Sequence, residues 1–162
     1  IKRTGWVMIS WVLFHEEIQK GAEGQQRFED WLQCWKFSKQ KNRNIIFVVK
    51  TLSRWNELPV FDKLKFLDHE WAAEGVMILT FLKQWENQNL GDLQEIIAHF
   101  LEVSVGLGHL PHPFVRASDL IAQGEPPGPQ LGEKLEAYYQ LQITHKIQSK
   151  EELLRLININ TL

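Results

Sequence analysis

FEDWLQCWKFSKQKNRNIIFVVKTLSRW, residues 28–55, places Phe28, Trp31, Leu32 and Trp35 at i, i+3, i+4 and i+7. That spacing lines one face of a helix and predicts one over about 25–35. Ser38 is a good helix cap, so the next helix is expected to run from there to about Trp55. At about 100° per residue, Ile45, Val48, Val49 and Leu52 fall roughly opposite Lys39, whereas Lys39, Arg43, Lys50 and Arg54 share an arc of about 60°. One face is built for burial and the other carries a ridge of cations. No acidic residue lies between Asp30 and Glu57, while the interval also holds Lys36 and Lys41. Exposed helices usually intersperse glutamates that pair with cations one turn away. A single-sign row along about 20 Å suits the backbone of a polyanion, each contact adding salt-sensitive affinity. A merely solvated face is the plain alternative.

Working outward, the apolar spacing stays helical nearly everywhere, and the alternation of a strand is absent. Helices are expected over 5–19, from Pro59 to about Glu74, and over 76–87, with Gly75 as the break between the last two. Asp92 and Glu95 read as a capping box for a helix over 93–104. Glycine, proline and histidine then cluster in SVGLGHLPHPF, 104–114, which marks a boundary. Three shorter helices follow at about 116–122, 129–142 and 150–157, the last with a box of Ser149 and Glu152. The expected architecture is all-α: an irregular helical bundle, the body, over 1–107, and a small helical tail over 108–162.

Composition narrows the classes. A chain of 162 residues, 44% hydrophobic with seven tryptophans, can bury a core and is not disordered. The lone cysteine, Cys34, excludes an internal disulfide and a multi-cysteine zinc site, which suits the cytoplasm. No apolar run is long enough to span a bilayer, and VMISWVLF is too short for a signal peptide. Because Ile1 already lies inside an apolar pattern, the chain is expected to be a piece of something longer.

The tail contains DLIAQGEPPGPQLGEKL, residues 119–135. Gly124 ends one helix and Pro129 opens the next, which turns the N–H groups of Gln130, Leu131 and Gly132 outward. Gly128 leaves the approach unobstructed, and Gly132 is expected to let the two helices pack closely. This is a helix-hairpin-helix-like turn of the kind that grips nucleic-acid backbones. A rigid turn is the alternative, and Glu125 and Glu133 beside it oppose an anion.

Residues 28–45 and 109–157 together resemble the C-terminal half of bacterial class II tRNA nucleotidyltransferases, the CCA-adding enzymes and poly(A) polymerases, in their Gram-positive form. The family's Trp-Lys-Phe-Ser step into a helix is present at 35–38. Its tail pattern is matched by Asp119, Leu120, Gly124, Pro126, Pro127, Gly128, Pro129, Leu131, Gly132, Leu135 and Glu136. The resemblance implies a tRNA partner, held at the acceptor stem and T arm through its backbone. It puts Lys36, Lys39, Arg43, Lys50, Arg54, Gly128, Gln130, Leu131 and Gly132 forward as RNA contacts. Catalysis in that family belongs to an N-terminal head using Mg²⁺ with CTP or ATP, followed by a neck. The chain has no Asp-x-Asp pair to hold such ions, so no cofactor and no catalytic residue are expected on it. QITHKI, 142–147, lacks the family's turn glycine.

Other features carry less. His109 and His112 read as loop histidines without further ligands, and Cys34 as a small buried or half-buried residue. The tryptophans read as core first; Trp55 and Trp85 each end a polar stretch, which leaves stacking on a base as their alternative. A stand-alone protein-interaction module, shown by an exposed cluster from Trp6, Trp11, Trp71 and Trp85, and a helix-hairpin-helix DNA-binding domain are the rival functions.

Overall fold

The computed structural model describes residues 3–104 and 108–160, and every regular element among them is helical. The chain divides into two compact units, Ile1–Ile97 and Ala98–Leu162. The division falls earlier than the compositional boundary at 107/108, and residues 105–107 themselves lie outside the described residues.

The first unit holds α1 (Arg3–Gln19), α2 (Ala22–Cys34), α3 (Lys39–Ser53), a 3₁₀ turn (Trp55–Glu57), α4 (Val60–Leu67), α5 (Ala72–Trp85) and the start of α6 (Gly91–Val103). α1 packs against α2, α3 and α5. Ile45, Val48, Val49 and Leu52 of α3 are buried as their spacing requires, with Phe28 and Leu32 of α2 and Val7 of α1. Ser38 caps α3 as expected, its hydroxyl accepting from the Lys41 N–H at 3.2 Å. At Gly24 a Cβ would lie 1.8 Å from the Glu17 carbonyl oxygen, so only glycine lets α2 start this close to the last turn of α1.

Two boundaries differ from the sequence expectation. α4 stops at Leu67 and α5 already begins at Ala72, so Gly75 is inside a helix and does not break one. The break is a turn in which the His69 ring nitrogen accepts from the Trp71 N–H at 3.1 Å and the Ala72 N–H donates to the His69 carbonyl at 2.9 Å. Gly75 is needed for packing: a Cβ there would meet the Phe66 ring at 2.2 Å, and Phe66 is fully buried. At α6, Asn89 accepts from the Gly91 N–H at 2.8 Å, while Asp92 pairs at 3.1 Å with the buried Lys83. Asp92 therefore answers a buried charge and is not the cap.

The second unit contains the end of α6, α7 (Ala117–Ala122), α8 (Pro129–Thr144) and α9 (Lys150–Asn160). Its core is Val115, Leu120, Leu131, Ile147 and Leu153. Gln142, 1% exposed, ties the His-Pro segment to α8: its Oε1 accepts from the Phe114 N–H at 2.9 Å and its Nε2 donates to the His112 carbonyl at 3.0 Å. The Tyr139 hydroxyl adds a bond to the Pro111 carbonyl. α8 ends without a glycine because Lys146 takes the left-handed conformation, φ 55°, so that Ile147 and Lys146 donate back to Gln142 and Ile143. α9 starts with Ser149 accepting from Glu152 at 3.2 Å, and the Glu152 carboxylate reaches back to the Gln148 N–H. No helix among the described residues is long and apolar enough to cross a membrane.

Candidate nucleic-acid interface

The corner between α2 and α3 is made by a left-handed residue. Trp35 closes α2, Lys36 turns with φ 51°, and Ser38 starts α3 in extended conformation. Lys36, Lys39 and Arg43 are exposed there and form no ion pair among the described residues. Trp35 is 48% exposed. Its ring meets Trp6 at 4.7 Å between centroids and Trp31 at 5.8 Å, both edge-on, and Trp6 in turn meets Phe37 at 4.7 Å. Lys41 lies with Nζ 4.0 Å from the Phe37 ring and 5.6 Å from that of Trp6. The corner thus combines unneutralised cations with an aromatic cluster held in place by its own members.

The rest of the ridge departs from the uninterrupted row expected. Lys50 pairs with Glu29 of α2 at 3.3 Å, and Arg54 with Glu57 at 3.6 Å. These two carboxylates lie just outside the acid-free interval, one at each end, and folding brings them back onto its C-terminal half. Such solvent-exposed or half-exposed pairs add about 0–1 kcal/mol of stability, yet they lower the positive potential a polyanion would meet. Of the ridge cations, Lys39 and Arg43 keep theirs.

At the tail hairpin, Pro129 occupies the first position of α8 and Gly128 precedes it in extended backbone, as expected. Gly124 closes α7 in the left-handed region, φ 95°, with Glu125 and Gly124 donating back to Leu120 and Ile121. Two expectations change here. The Leu131 N–H donates to the Gly128 carbonyl at 3.1 Å and is not free for an anion, while its side chain is core. Gly132 does not mediate close packing, because a Cβ there would meet nothing within 4 Å. It borders a groove of about 450 Å³ with Pro113, Val115, Leu135 and Tyr139. Glu125 is paired with Lys134, so the hairpin's nearest lysine is already neutralised. Asp119, part of the family-like pattern, has a structural use: it accepts from the Arg116 N–H at 2.8 Å and pairs with Lys150 at 2.9 Å. Those two contacts, the backbone bond first, hold its carboxyl below the usual range.

The aromatic candidates separate sharply. Trp55 is 2% exposed, edge-on to Phe66 at 5.6 Å, and cannot stack on a base. Its indole N–H and that of Trp11 are buried without a hydrogen-bond partner, and both rings border a pocket of about 250 Å³. Trp71 is also buried. Trp85 is 77% exposed and stacks on Phe81, forming with Met77 an outward apolar ridge on α5. Trp35, core by its spacing, is the exposed aromatic that sequence reasoning missed. Cys34 is exposed, not buried or half-buried. His109 and His112 are exposed, and among the described residues no three His, Cys, Asp or Glu side chains are grouped to hold a metal ion. Comparison with known proteins finds no matching family model, no matching curated protein and no matching solved structure.

Proposed function

We propose that this chain binds folded RNA through its sugar-phosphate backbone, as the tRNA-holding body and tail of a tRNA nucleotidyltransferase of the CCA-adding and poly(A) polymerase type. In that reading it grips the acceptor stem and T arm in the cytoplasm, and a head and neck outside the chain add nucleotides. The observation that carries it is the α2–α3 corner, where Lys36, Lys39 and Arg43 stay exposed and unpaired beside an exposed tryptophan. Cations in that state meet phosphates without first breaking internal pairs. The Mg²⁺ and nucleotide of the family belong to the head. The described residues offer no carboxylate set for the ion, and no step of nucleotide addition is assigned to them.

Titration with tRNA and with single-stranded RNA of equal length, at two salt concentrations, tests the reading. Preference for tRNA with a slope of log K against log salt of about −2 to −3 is expected from three phosphate contacts. Binding to neither RNA at low salt removes the proposal, and equal competition by duplex DNA points to the hairpin acting on DNA. A second reading, docking of a partner protein, is favoured by the exposed Met77, Phe81 and Trp85 ridge. It requires a complex that survives nuclease and salt and is lost in Phe81→Ser with Trp85→Ser.

A further inference from the structure

We infer that Trp35 is a stacking platform for one unpaired base of the bound RNA, an inference that rests on the RNA-binding reading above. The ring is presented before any ligand arrives. As the residue that closes α2 it sits on a fixed backbone, φ −85° and ψ −2°. Trp6 and Trp31 contact it at interplanar angles of 64° and 68°, so neither is stacked parallel on it, and 48% of its surface stays open. A ring wedged between two others has little rotamer freedom left to lose on binding.

Its surroundings choose the ligand. Lys36 is its chain neighbour, and Lys39 and Arg43 follow on the first turns of α3, all exposed and without ion pairs among the described residues. An apolar protein surface docking on Trp35 would have to desolvate these cations without partners. A nucleotide brings both complements, a π-face for the indole and phosphates for the cations. Trp85 makes the contrast: it is more exposed, yet it stacks on Phe81 in an apolar ridge, and the lysine of its own last turn, Lys83, is buried against Asp92. Bases inside an A-form duplex have their faces covered by neighbours, so the base on Trp35 must come from a bulge, a loop or a single-stranded end.

The test uses RNA hairpins with one identical stem: one blunt, one with two unpaired nucleotides at its end, and one with those positions abasic. The full chain binds the second roughly 5- to 150-fold more tightly than the blunt form, the range for stacking one base. Abasic ends bring the ratio to about one, and so does Trp35→Ala, whereas Trp35→Phe retains most of the preference. Helical content measured on each variant guards against misfolding. Equal binding of blunt and overhanging hairpins by the wild type overturns the platform, as does a preference that persists in Trp35→Ala. Binding to none of the three at low salt overturns the RNA reading itself, a result distinct from either.

Discussion

The α2–α3 corner and the α7–α8 hairpin both carry residues that the sequence marks for RNA, and folding treats them oppositely. At the hairpin, the Leu131 N–H is taken by the Gly128 carbonyl, and nearby Lys134 is already paired with Glu125. At the corner, Lys36, Lys39 and Arg43 keep their charge in solvent, and Lys41 rests on Phe37. A stretch dense in glycine and proline states how the backbone turns. Whether its polar groups remain available depends on partners that folding supplies, and the hairpin supplies most of its own.

Gln142 is expected to give the largest effect. Gln142→Leu leaves the part-buried Phe114 N–H and the His112 carbonyl without their side-chain partner, at a cost of about 1–3 kcal/mol in urea unfolding. Trp35→Phe at the corner costs under about 1 kcal/mol. Comparable losses would mean that the corner is bound to its unit as tightly as Gln142 and its partners are to theirs. Next, Lys39→Glu with Arg43→Glu weakens tRNA binding at least tenfold and makes the salt slope shallower by about 2, by loss of two phosphate contacts. Lys134→Glu at the hairpin changes affinity by no more than about threefold, since that lysine is already paired. Equal effects from the two reversals would break the comparison. Smaller is the gain from Glu29→Gln with Glu57→Gln, which frees Lys50 and Arg54 and restores the full ridge. Affinity then rises a few-fold with a steeper salt slope, and an unchanged slope would show that the ridge is only a solvated face. The smallest effect concerns pH. Burial holds the His69 pKa below its ordinary value, so the unfolded chain takes up protons first as pH falls. Stability is complete above the ordinary histidine range and declines through it toward the lowered value. His69→Gln flattens that decline in melts between about pH 7 and 5.

Local chemistry makes much of this legible. The Ser38 cap, the apolar face of α3 and Pro129 at the head of α8 follow from neighbours within one turn. What escapes depends on distant residues. The α4–α5 break lies at 68–71 and not at Gly75, because Gly75 is reserved for the Phe66 ring, a packing partner no periodicity encodes. Glu29 reaches Lys50 only because α2 lies against α3. Trp55 ends a polar stretch and reads as available, yet the 3₁₀ turn folds it onto Phe66. Trp35 continues an apolar stripe and reads as buried, yet it stands where α2 has already ended.

Lys36 gives the corner one more property. Its backbone is left-handed, φ 51°, in the position after a helix that glycine fills at least strain. The substitution Lys36→Gly would raise the melting temperature and delete a charge that RNA would meet. Selection for thermal tolerance and selection for binding therefore push this position in opposite directions. A library sorted on heat resistance alone would drift toward glycine at this position and lose its grip on RNA without any sign of it in the melting curve.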